Sequence, residues 1–148
     1  MGHTFTSNLQ HIIFSTAARK PYRLLKDGRV CAYMGGIAKQ NGMKALAVGG
    51  MEDHCHLLLS LPATMPVAKA VQLIKPGSSK WIHESFPGSD RFQWQEGYAS
   101  FSVSISQRER TIAYIADQER HHQRRDFAAE LKALLRAHGL EFDAEFLD

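Results

Sequence analysis

The chain has 148 residues, 44% of them hydrophobic, which suits one ordinary domain with a buried core (1–148). Its net charge of +3 and pI near 9.0 are mildly basic, compatible with a nucleic-acid partner without requiring one. No apolar run approaches the roughly 20 residues that cross a bilayer, the start "MGHTFTSNLQ" lacks the layout of a secretory signal, and two cysteines, Cys31 and Cys55, read as free thiols of a reducing cytoplasm.

In chain order, "TFTSNLQHIIFST" (4–16) is rich in Thr, Ile and Phe and predicts a strand. Residues 23–42 predict a helix, with Leu24, Leu25, Val30, Tyr33, Met34, Ile37 and Ala38 forming an approximate stripe and Asn41-Gly42 ending it. "MKALAVGG" and "HCHLLLSL" predict two strands joined through "GGMED" as a hairpin. Residues 66–86 predict a helix opening at Pro66, broken or kinked at "KPGSS". "FQWQ" (92–95) and "YASFSVSI" (98–105) predict short strands. A helix should start at Ser106, whose spacing to Glu109 is that of a capping box, and run to about His122. Asp126 should cap a last helix ending near Gly139. Two strand-helix-strand units sharing one antiparallel sheet make an α+β, ferredoxin-like split βαβ plan.

Charge is unevenly spread. Arg19, Lys20, Arg23, Lys26 and Arg29 form the main basic cluster, while the last eight residues, "EFDAEFLD", carry four acids and no base. The basic cluster is either a solvated face or a phosphate-binding surface.

The stretch "MEDHCHLLLSL" places two histidines two residues apart on a strand. Alternation puts His54, His56, Leu58 and Ser60 on one face and Cys55, Leu57, Leu59 and Leu61 on the other, which is apolar and belongs in the core. Two imidazoles about 6.5–7 Å apart along a strand can converge on one ion, or they can be ordinary strand residues. Neither reading is complete without a further ligand. Tyr114 and Gln118, four apart, share one face of the following helix. They suit a face that meets something polar, or a half-buried tyrosine with its hydroxyl at the surface. His121 and His122 are further metal candidates or a polar helix end.

"DHCHLLLSL", followed about 60 residues later by "YIADQERHH", resembles the single-tyrosine HUH transposases, the insertion-sequence TnpA-like enzymes and the REP-associated tyrosine transposases. "HIIFSTAARKP", "LAVGGMEDH", "IKPGSSKWIHESFP" and "FQWQEGYASFSVS" extend the resemblance to roughly residues 8–146. The family pattern is His-hydrophobic-His, and Cys55 fills its centre as a small core residue, not a ligand. Pro76-Gly77 departs from an uninterrupted helix.

The resemblance implies a homodimer that cuts and rejoins single-stranded DNA at hairpin-containing element ends. Tyr114 would be the nucleophile, forming a 5′-phosphotyrosine. A divalent ion, Mg2+ or Mn2+ in function and Zn2+ or Ni2+ where offered, would be held by His54, His56 and Gln118. Whether Tyr114 completes the site of its own subunit or of a partner's stays open. Arg19, Lys20, Arg23, Lys75 and Lys80 are the residues expected on DNA phosphates, and Phe92, Trp94 and Tyr98 are either base-stacking or core aromatics. Competing readings are a non-catalytic ferredoxin-like nucleic-acid-binding module, a replication initiator or relaxase, and a zinc hydrolase. The short chain disfavours the initiator or relaxase, and the lack of a carboxylate base at fixed spacing disfavours the hydrolase.

Overall fold

The structure, a computed structural model, describes residues 2–118, 120 and 126–143. His121 and His122 lie outside these residues. Four strands, β1 (Leu9–Ser15), β2 (Lys44–Met51), β3 (His54–Ser60) and β4 (Ala99–Val103), form one antiparallel sheet in the order β2-β3-β1-β4. Four helices accompany it among the described residues: α1 (Gly28–Gln40), α2 (Val67–Ser85), α3 (Arg108–Ala116) and α4 (Phe127–Ala137). This is the ferredoxin-like split βαβ plan, with the central strands β1 and β3 contributed by the two halves.

β1 and β3 pair so that Ile12 faces Leu57 and Phe14 faces Cys55. These side chains, with Leu59, meet Val30, Met34 and Ala38 of α1 and Ala70, Val71, Ile74 and Ile82 of α2 in the main apolar core. The alternate residues point to the other face. There Leu9 and Leu58 pack against Ile115 of α3, and Ile13 and Phe101 pack against Phe127 of α4. Between these two small apolar clusters sit His11, His54 and His56, all buried. The predicted division of β3 into a core face and a histidine face holds.

Several boundaries move. β1 begins at Leu9 rather than at residue 4, and residues 2–7 are exposed and unpaired in the sheet. The helix expected from residue 23 starts as a 3-10 turn, Arg23–Lys26. Asp27 then caps α1 by accepting from the Arg29 amide at 2.9 Å. The "FQWQ" strand reduces to one bridge between Thr16 and Trp94.

α2 runs unbroken through Pro76. An interior proline costs about 3 kcal/mol through a lost hydrogen bond and a clash, but fully burying Ile74 and Ile82 on either side returns about 1.5–3 kcal/mol each. Gly77 helps, because a Cβ there would lie 3.0 Å from Ile37 of α1. No Ser106–Glu109 capping box forms. A 3-10 turn, Ile105–Gln107, precedes α3 and makes Gln107 its N-cap. Ser106 pairs with Ser104 at 2.8 Å and Glu109 with Arg108 at 3.0 Å instead. Asp126 does cap α4, accepting from the Ala129 amide at 2.9 Å, and Gly139 follows its end with φ +68.

No helix among the described residues is long and apolar enough to cross a membrane. Cys31 and Cys55 are free thiols, and Cys55 is buried in the apolar core, away from any ligand role.

Candidate active site

The site forms where α3 and α4 cross the histidine face of the sheet. β3 delivers His54 and His56, both 0% exposed. Each imidazole is fixed by a partner on its Nδ1. His54 Nδ1 lies 2.8 Å from Asp53 Oδ1, and His56 Nδ1 lies 2.8 Å from His11 Nε2 on neighbouring β1. Such partners set the tautomer and orientation of a ligating imidazole, and here they leave both Nε2 atoms facing one centre.

α3 reaches this centre because β2 is thin where the helix passes. A Cβ on Gly49 would sit 2.8 Å from the Ile115 carbonyl oxygen, so only glycine allows the approach. The closeness brings Tyr114 and Gln118 in together. Gln118 is buried, its Oε1 lies 3.4 Å from His54 Nε2, and its Nε2 donates to the Tyr114 carbonyl at 3.2 Å. The Tyr114 ring stands edge-on to His56 at 5.9 Å and to His11 at 6.2 Å. The four residues that the sequence singled out for catalysis and metal thus meet at one place, in one chain.

A fifth joins them. Glu130 of α4 is 1% exposed. Its Oε1 lies 3.0 Å from His56 Nε2 and 3.5 Å from His54 Nε2, and its Oε2 accepts from the Tyr114 hydroxyl at 2.5 Å. Sequence reasoning missed it, since Glu130 sits in an ordinary amphipathic helix at no fixed spacing from the histidines. Its spacing of four from Asp126, the cap, gave no functional signal.

The electrostatics follow from burial and pairing. Burial is the largest influence on Glu130 and disfavours its charge, but hydrogen bonds from His54, His56 and Tyr114 outweigh it and hold the carboxyl well below the usual range. Burial likewise opposes charge on His54, yet hydrogen bonds to Asp53 and Glu130 raise its pKa on balance. His11 has no such carboxylate contact, and burial, then the neighbouring His56 charge, lower its pKa to about 3. His11 is therefore a neutral imidazole, able to accept from His56.

His54, His56 and Glu130 offer two imidazole nitrogens and a carboxylate oxygen within 4.8 Å of one another, all buried. That donor set fits a divalent ion, because each nitrogen is pre-aimed and the carboxylate offsets the ion's charge. Gln118 Oε1 is a fourth donor, and the second oxygen, at the same centre.

The expected DNA residues are not gathered in the same way. Arg19 lines a cleft of about 760 Å3 with Tyr98, Gly97, Phe127 and Leu131, and its φ of 51 places it in the left-handed region. Lys20 lies over the Tyr22 ring at 5.5 Å, and Arg23 is exposed in its 3-10 turn. Lys75 instead donates to the carbonyls of Gln95 and Gly97 at 2.5 and 2.8 Å, so it ties down a loop. Lys80 is exposed on α2, in the helix layer across the sheet from the histidines. Phe92 and Trp94 are core residues in edge-on contact at 4.9 Å, whereas Tyr98 is 44% exposed. A second cleft, about 500 Å3, opens beside Tyr114 between Phe101, Arg110, Leu134 and His138.

Both the chain and its fold are similar to known proteins. The chain is 29% identical over 87 residues to the ISDra2 transposase TnpA of Deinococcus radiodurans, an alignment covering 55% of this chain and 62% of that protein. The chain thus spans less than two thirds of that relative's length. The fold is similar to a crystal structure from Deinococcus radiodurans R1 assigned as a transposase, with TM-score 0.62, 25% identity, and 80% and 96% of the two chains covered. It is also similar to the REP-associated tyrosine transposase bound to a REP hairpin, with TM-score 0.60, 13% identity, and 82% and 72% covered, a likeness of fold alone. The family model "Transposase IS200 like" matches residues 4–118, from before β1 to Gln118, and the chain therefore belongs to the IS200-like family of tyrosine transposases.

Proposed function

We propose that this transposase cuts and rejoins single-stranded DNA through a covalent phosphotyrosine on Tyr114, with a divalent ion held by His54, His56 and Gln118. One observation carries the reading: the hydroxyl of a helix tyrosine converges with two pre-aimed imidazoles and a buried glutamine at a single centre. A nucleic-acid-binding module without catalysis has no use for that convergence.

In the proposed reaction the Tyr114 oxygen attacks the scissile phosphorus, a new P–O bond forms to tyrosine, and the bond to the 3′ oxygen breaks. The departing 3′ oxygen takes up a proton and leaves as a hydroxyl. The same hydroxyl on another strand reverses the step, so the bond energy is retained and no nucleotide cofactor is consumed. Tyrosine ordinarily titrates near pH 10, and its hydroxyl here is held by a carboxylate facing the metal ligands. Mg2+ or Mn2+ bound at the histidines supplies Lewis-acid polarisation of the phosphate and offsets its developing charge. Asp53 and His11 hold the imidazoles in register, and Arg19, Lys20 and Arg23 remain the proposed backbone contacts on the DNA.

The substrate proposed is single-stranded DNA with a hairpin, in line with the hairpin held by the structural neighbour, and the working assembly a homodimer. Incubation with labelled hairpin-bearing single strands and Mn2+ should give an adduct that survives a denaturing gel. Its absence with every hairpin tried would favour a binding module, and an adduct persisting in Tyr114→Phe would remove Tyr114 as the nucleophile. A monomeric mass by light scattering at micromolar concentration would overturn the dimer.

A further inference from the structure

The family match ends at Gln118, yet the buried carboxylate at the centre of the site comes from α4, beyond that segment. We propose that Glu130 is a positioning residue that completes the metal site from α4 and, through the same carboxylate, holds the nucleophile against the histidines of its own chain. This deepens the strand-transfer reading and rests on it.

The geometry divides one carboxylate between two tasks. Oε1 faces the two Nε2 atoms, and Oε2 takes the Tyr114 hydroxyl. A bridge of this kind fixes the distance between nucleophile and ion, two groups that otherwise reside on separate elements, α3 and β3. Holding reacting groups in register is worth several kcal/mol in general, and side-chain hydrogen bonds to a charged acceptor are the strong ones.

Burial argues against an accidental contact. An unpaired carboxylate at 1% exposure would cost several kcal/mol, so its site must repay it. The helix is also docked in register. Phe127, one turn earlier on the same face, stacks on the His54 ring at 4.3 Å and an interplanar angle of 20°. Phe127 also packs with Ile13 and Phe101, and Asp126 caps the helix just before it. The first turn of α4 is thus anchored by Phe127 to the same imidazole that its Glu130 addresses.

Two consequences follow. Tyr114 is held against the histidines of its own subunit. Glu130 also places a negative charge where the scissile phosphate must arrive, so a bound cation is needed before the phosphate can approach.

The test compares wild type with Glu130→Gln and Glu130→Ala, each stripped of metal and checked for folding by circular dichroism. Calorimetric titration with Mn2+ should show affinity reduced about 10-fold or more in both variants. Adduct formation on single-stranded hairpin DNA is then read across Mn2+ concentration. Glu130→Gln, which keeps an acceptor for the phenol, should need more Mn2+ but regain most of the rate at saturation. Glu130→Ala should stay at least about 10-fold slower at saturation, as lost positioning predicts. Mn2+ affinity within two-fold of wild type in Glu130→Gln, or a saturated Glu130→Ala rate equal to wild type, would overturn the proposal. If Glu130→Ala does not fold, the Glu130→Gln titration decides alone. A wild type that makes no adduct at all sinks the strand-transfer reading, while the Mn2+ titration still decides whether Glu130 serves the metal.

Discussion

The two faces of the sheet are built from the same two central strands and do opposite work. On one face Ile12, Phe14, Cys55, Leu57 and Leu59 are sealed under α1 and α2 in the main apolar core. On the other, the alternate residues His11, His54 and His56 are as deeply buried, but under α3 and α4, and directed polar contacts hold their ring nitrogens while Phe127 stacks on His54. The comparison shows how a period of two lets a single strand serve stability and chemistry at once. It also shows why the polar face needs more elements to finish it. Leucines are satisfied by any apolar cover, whereas an imidazole needs a partner at a set distance.

Substitutions on the two faces should therefore fail differently. The largest effect is expected from Tyr114→Phe, which should abolish the covalent DNA adduct on a denaturing gel while changing the urea midpoint little. Leu57→Ala, on the apolar face, should do the reverse: about 2–5 kcal/mol of stability lost in urea unfolding, with adduct formation preserved in the fraction that stays folded. Equal loss of activity and stability in both variants would erase the distinction between the faces.

Acidification should weaken the polar face selectively. His11 has a folded pKa of about 3 against about 6.5 unfolded, so the unfolded chain binds more protons between those values and stability falls as pH drops through that window. Glu130, held below its ordinary value, adds to the loss below about pH 4.5. His54, shifted upward, acts oppositely, favouring the fold as pH falls toward 6.5. Chelator-treated protein should lose on the order of 3 kcal/mol between pH 6.5 and 4, measurable by urea unfolding. In His11→Asn that slope should flatten above pH 4.5.

Gly49→Ala sits at the seam between the faces. Its Cβ would strike the Ile115 carbonyl, so α3 must shift, at about 1–3 kcal/mol. Because α3 carries Tyr114, adduct yield should fall by more than the stability loss explains. The smallest effect is expected from Lys80→Ala, on the far layer: stability within about 0.5 kcal/mol and hairpin affinity unchanged in a gel-shift titration. Weakened binding there would restore Lys80 to the DNA surface.

The sequence carried the alternation of β3 and the order of strands and helices, because each rests on periods of two or about 3.6 residues; the helix expected to run to about His122 instead ends at Ala116, and Gln118 reaches the site from beyond its C-cap, Asp117. Pro76 misled in the opposite sense: its local cost is real, but Ile74 and Ile82 lie in the core and outweigh it. Ser106 and Glu109 had capping spacing, yet a 3-10 turn moved the helix start past them. Lys75 had the charge for DNA and is occupied by the carbonyls of Gln95 and Gly97.

What the sequence alone determined is the pair of histidines facing one way, since that depends on neighbours within one strand, and the candidate nucleophile four residues from a glutamine. Only the tertiary structure decided that Glu130 stands between them, that His11 and Asp53 aim the imidazoles, and that Gly49 lets α3 come near enough. Apart from Asp53, which adjoins His54, those contacts join residues far apart in the chain, whose meeting is set by the packing of strands and helices and by no spacing along it.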